Sequence, residues 1–144
     1  MGKFNAKMVA EFTPPKTWVL EKALSFETEL NDEDVQLLKI IGVNIVDTGK
    51  GTGKITCKKG MKTDLASTPR ILWNLIAPWD VARAAIIHDH LYAALRVYWH
   101  TGAPFSKNTW KRGRQLADEV FLAGMKSAEP SVPSWKIYPA YWAV

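Results

Sequence analysis

His88 stands in the middle of an apolar stripe, with Ala84 and Ala85 one turn before it and Tyr92 one turn after. Asp89 follows at once. Asp118 holds a comparable place in a later helical stretch, next to Ala117 and shortly before Phe121. A half-buried imidazole needs a hydrogen-bond partner, and a half-buried carboxylate needs a cation or a donor. Two antiparallel helices joined by a short break would bring His88 and Asp118 together. Asp118 would then hold one ring nitrogen and leave the other as a general base. Asp89, about 100° round the helix from His88, would face the neighbouring groove, placed for a metal ion or an arginine.

A third polar segment, Thr63-Asp64-Leu65-Ala66-Ser67-Thr68-Pro69-Arg70, falls between a strand pattern and a helix pattern, where sites tend to form. It is expected to pack on the His88 helix, so that Asp64 or Arg70 reaches the same cluster. Each of these residues also has a structural reading. The His–Asp pair can simply tie two helices, Asp64 and Ser67 can be turn and cap residues, and Arg70 can be the partner of Asp89 or Asp118. His90 projects from the far side of the helix and is expected in solvent, and His100 is a weaker candidate still.

The elements that must position these groups follow from periodicity. Trp18–Leu20, Leu24–Thr28 and Lys54–Lys58 read as strands, the last by strict alternation. Asn31-Asp32-Glu33-Asp34 reads as an acidic turn. The β-branched stretch Ile40–Val46 reads as a strand, with Val35–Ile41 open to a short helix, because runs of this length do not discriminate. Asp47–Gly53 is a turn. Its GKGTGK sequence lacks the spacing of a phosphate-binding loop and no helix pattern follows it.

Beyond Ser67 the chain is helical in character. Pro69 opens a short helix through Leu75, and Pro78 ends it. Asp80 caps a long helix to about Trp99, with Val81, Ala84, Ala85, His88, Leu91, Tyr92, Leu95 and Trp99 on its inner stripe. Ser106 or Asn108 opens a second long helix to about Ala128, lined by Trp110, Ala117, Val120, Phe121, Gly124 and Met125. A last short helix follows from Ser134. These elements predict an α+β fold in one domain over 1–144. A small N-terminal antiparallel β sheet or set of hairpins (1–62) packs on a C-terminal bundle of two long helices and short helices (63–144).

Composition narrows the function classes. The 144 residues are 47% hydrophobic and contain one cysteine, Cys57. That excludes a disordered chain, a disulfide scaffold and a zinc ribbon. No apolar run is long enough to span a bilayer, and MGKFNAKMVAEF lacks the apolar core of a signal peptide, so Sec export is not expected. The net charge of +5 favours anionic surfaces such as acidic lipid, envelope polymers or nucleic acid. No nucleic-acid recognition module is present, so specific nucleic-acid binding is not expected.

Three ordered motifs, TDLASTPR, AAIIHDHLY and RQLADEVFLAGM, with a Trp/Tyr-rich tail, resemble a phage- and prophage-encoded family of unknown function, domain-of-unknown-function family 1353. The likeness runs from about Ile55 to the C-terminus. It implies phage origin, in the host cytoplasm or the virion, and carries no activity.

His88-Asp89 with Tyr92 is also similar to the HDxCY helix of secreted phospholipases A2, and Ala117-Asp118 with Phe121 to the segment completing their dyad. That similarity implies His88 as the base activating water, Asp118 and Tyr92 as its orienters, and Asp89 as a ligand of calcium. Thr63–Ser67, with Asp64 as a further ligand, would stand where the calcium loop lies. Leu91 replaces the family's cysteine, and the glycine-rich loop is absent. HD phosphohydrolases need a histidine earlier than His88, and the chain has none.

Two readings follow. One is a metal-assisted hydrolase of a host-envelope ester or amide, with a bacterial envelope or lipid substrate. The other is a non-catalytic virion or tail component, or a binder of a host factor or other phage proteins, whose His/Asp cluster is structural.

Overall fold

A computed structural model describes residues 2–5, 10–13, 17–63, 78–102 and 104–126. In chain order they form β1 (Lys3–Phe4), β2 (Ala10–Thr13), β3 (Thr17–Leu20), β4 (Leu24–Glu29), α1 (Asp32–Ile41), β5 (Ile45–Asp47), β6 (Thr52–Cys57), β7 (Lys62–Thr63), α2 (Pro78–Thr101) and α3 (Lys107–Lys126). The fold is α+β. Four strands make an antiparallel sheet in the order β1-β4-β6-β5, and β2-β3-β7 make a smaller one. The alternation in β6 is realised, with Gly53, Ile55 and Cys57 buried between more exposed neighbours. Phe26 of β4 lies opposite Ile55 and Leu24 opposite Cys57, which places the sheet's apolar pairs on the face that meets the helices.

The acidic turn expected at Asn31–Asp34 is instead the start of α1, and the strand expected from Ile40 begins only at Ile45. The reasons are local. Asn31 Oδ1 accepts the Asp34 N–H at 2.8 Å, a helix N-cap. Asp32, Glu33 and Asp34 then sit in the first turn, where the helix dipole favours negative charge. Gly42 stops the helix with φ 107°, and the N–H groups of Gly42 and Val43 both return to the Leu38 carbonyl. Val35, Leu38 and Ile41 are buried at helical spacing.

Pro78 is the first residue of α2; a proline costs nothing at a first helical position. Asp80 therefore lies inside α2. The short helices expected from Pro69 and Ser134, and the end of the second long helix at Ala128, lie outside the described residues. Ser106 does cap α3, its hydroxyl accepting the Thr109 N–H at 3.3 Å. The inner surface of α2 is wider than one stripe. Ile86 and Ile87 are fully buried along with Leu91, and Tyr98, not Trp99, turns inward. One core joins Phe26 and Ile55 of the sheet, Val35 and Leu38 of α1, Ile86 and Leu91 of α2, and Leu116 and Val120 of α3.

Candidate functional site

α2 and α3 run antiparallel. Their closest pairs step in opposite senses, from Ala84 beside Gly124, through His88 beside Asp118, to Trp99 beside Trp110. A Cβ on Gly124 would come within 2.9 Å of the Ala84 Cβ, so the glycine sets how closely the helices meet. The small residues either side of His88 thus let two backbones approach until a histidine on one meets an aspartate on the other.

The contact expected between them is present. His88 Nε2 lies 3.0 Å from Asp118 Oδ1, and the Tyr92 hydroxyl donates to the same oxygen at 2.7 Å. The imidazole is 2% exposed and lies between two rings, with centroids 4.1 Å from Tyr92 and 4.9 Å from Phe121. Burial pushes the Asp118 carboxyl up, but hydrogen bonds from His88 and Tyr92, with the charges of His88 and Arg114, bring it below the usual carboxylate range. It is therefore an anion at neutral pH and can only accept. The His88 hydrogen then belongs on Nε2 and the lone pair on Nδ1. Nδ1 is buried and has no hydrogen-bond partner among the described residues. The Tyr92 hydroxyl is pushed up to about 12 by burial and by Asp118, against an opposing pull from Arg114. It stays a donor at any physiological pH.

Arg114 is a participant that the sequence did not single out. It acts on both Tyr92 and Asp118. The signal was available in its place one helical turn before Asp118.

The other expected residues divide. Asp89 is half-buried and has a partner of its own, and its charge helps burial push the Cys57 thiol up. Thr63 ends β7, paired through its backbone with Trp18. Asp64, Ser67 and Arg70, and with them the packing expected of that segment, lie outside the described residues. His90 is a correction, since it is half-buried and not in solvent. Its Nε2 accepts the Asn44 N–H at 3.2 Å, because the connection from α1 to β5 covers that side of α2. Among the described residues no three His, Cys, Asp or Glu side chains come together as a metal site.

A family model described as "Protein of unknown function (DUF1353)" matches residues 43–144. No curated protein and no solved structure matches the chain.

Proposed function

The chain belongs to the DUF1353 family, and from that premise we propose that His88, Asp118 and Tyr92 form the general-base centre of a phage-encoded hydrolase acting on a host-envelope ester or amide. The observation that carries this reading is that Nδ1 of His88 is buried with no partner among the described residues. A buried polar atom left without a partner costs about 1–3 kcal/mol, and most structural histidines avoid that cost. A water bound at Nδ1 would satisfy it and be placed to lose its proton to the ring while its oxygen attacks a carbonyl carbon. Asp118 would stabilise the resulting imidazolium through Nε2–H, as carboxylate partners of catalytic histidines do. Tyr92 would hold the carboxylate oxygen in line. The local likeness to the phospholipase A2 helix supports the same roles.

Calcium belongs to the finer form of the proposal, with Asp89 and Asp64 as its ligands and polarisation of the carbonyl as its contribution. The described residues do not by themselves build such a site, so the assay carries a chelator arm. The described helices include none long and apolar enough to cross a membrane, and an envelope substrate would be met at its surface.

Burial of the ring favours a second reading. At 2% exposure, with Nδ1 shut in, the cluster also suits a lock between α2 and α3 in a non-catalytic virion, tail or host-factor-binding protein. The test is hydrolysis of phospholipid vesicles and of activated esters by the wild type, His88→Asn and Asp118→Asn, each with calcium and with chelator. The hydrolase reading expects turnover that both substitutions abolish while the fold persists. Absence of turnover on either substrate class, with melting temperatures of both variants sharply lowered, would establish the lock.

A further inference from the structure

Beyond Tyr92 the crevice between α2 and α3 widens into a groove of about 440 Å³, within the range of roughly 300–1,000 Å³ typical of small-molecule sites. Trp99 and Trp110 form its apolar wall, their ring centroids 4.8 Å apart and steeply inclined. Trp99 is 46% exposed although it packs edge-on against Phe105 as well. Arg96, His100 and Arg114 stand around the same groove. The Arg114 guanidinium lies 5.7 Å from the Trp110 ring centre, which holds its charge over the apolar wall. Arg96 is exposed and makes no hydrogen bond or ion pair among the described residues.

Charge complementarity defines what belongs there. From His90 to Ala117 the sequence contains no aspartate or glutamate, but it contains Arg96, Lys107, Lys111, Arg112 and Arg114. Arg112 is committed elsewhere, to Asp34 and Glu119. The acid that adjoins the groove, Asp118, is itself held by His88 and Tyr92. Among the described residues that line the groove none carries a carboxylate, so an entering anion meets Arg96 unopposed and shares Arg114 with Asp118, and its apolar part meets two indoles.

The geometry points to a binding site for a small amphiphilic anion, a flat apolar body carrying one carboxylate, sulfonate or phosphate group. The body lies against Trp99 and Trp110, and the acidic group reaches Arg96 and Arg114. The indoles supply area and the guanidinium groups supply paired, charge-assisted hydrogen bonds. This site does not rest on the hydrolase reading and stands even if His88 is structural.

The test uses anilinonaphthalene sulfonate as the probe and phenylnaphthylamine, the same ring system without the acid, as its neutral counterpart. Binding is followed by probe fluorescence and calorimetry in the full chain. The expected result is one sulfonate probe per chain, bound at least roughly tenfold more tightly than the neutral one at low salt. Arg96→Glu should weaken the sulfonate roughly tenfold and leave the neutral probe unchanged. Trp99→Ala should weaken both, and Lys58→Glu, the same charge change outside the groove, should weaken neither. Arg96 and Trp99 are exposed, so melting curves will show both variants folded. Equal affinity for the two probes, or equal loss in Arg96→Glu and Lys58→Glu, would overturn the proposal. So would Arg96-dependent binding of a thymidine oligonucleotide with no binding of the sulfonate.

Discussion

Two side chains with opposite surroundings on one helix show what a single residue's environment decides. His88 gives a hydrogen to a carboxylate, whereas His90 accepts one from the Asn44 backbone. An accepting imidazole must be neutral, and burial lowers the His90 pKa below its ordinary value of 6.5. A base whose folded pKa is depressed contributes its full stability above the unfolded value, and loses it as pH falls through the folded one. Melting temperature is therefore expected to fall as pH drops below about 6.5. His90→Gln, whose amide oxygen can accept the same N–H, should flatten that part of the profile. The lowered Asp118 carboxyl has the same sign in a lower window, with stability lost only below about 3.8. Tyr92→Phe tests the third member of the cluster. It removes one donor from Asp118, so the carboxyl pKa should rise, and stability should drop by about 1 kcal/mol. An unchanged Asp118 titration, followed by carboxyl NMR, would show that Tyr92 contributes nothing to holding that charge.

At the scale of elements, α2 and α3 are set by what lies between them. Gly124→Ala gains about 1 kcal/mol of helix propensity but forces a Cβ against the Ala84 Cβ at 2.9 Å and its Cα at 3.3 Å. Overpacking of this kind costs about 1–3 kcal/mol, so the net effect is expected to be destabilising. Ala84→Gly in the same chain should recover part of the loss, a coupling that a double-mutant cycle of thermal or denaturant melts measures.

The same contacts explain what the sequence made legible. The stripe of α3 was readable because one face of that helix is buried, and the His88–Asp118 meeting followed from two polar residues in apolar company. α2 was harder. Ile86 and Ile87 are buried against other elements as well, so no single stripe marks its inside, and Trp99, placed on the stripe by its spacing, is exposed while Tyr98 is buried. α1 was legible only in part: Val35–Ile41 was open to a short helix, but its β-branched end, Ile40 and Ile41, carries a strand's composition, and Asn31–Asp34 read as a turn. The information lay in the Asn31 cap and the Gly42 stop. The partner of His90 was not legible at all, because it is a backbone N–H from a distant connection.

At the scale of the whole molecule, the question is whether sheet and helices stand or fall together. Cys57 sits at their junction. It ends β6, is buried, and its thiol approaches the Ile86 carbonyl of α2 at 3.8 Å. Burial, assisted by the charge of Asp89, pushes that thiol up to about 12, so at neutral pH in the folded protein it is neither accessible nor ionised. A thiol reagent can reach it only when the sheet parts from α2 or the whole chain opens. The core is continuous across that junction, joining Leu24, Phe26 and Ile55 to Ile86, Ile87 and Leu91, and separating the halves would expose all of these at once. The expected outcome is therefore a single cooperative transition. Cys57 labelling in increasing denaturant should show the same free energy and the same denaturant dependence as loss of helical circular dichroism. If Cys57 instead reacts freely while the helical signal is intact, the sheet opens as a separate unit. The 1–62 and 63–144 segments would then be two cooperative bodies rather than one domain.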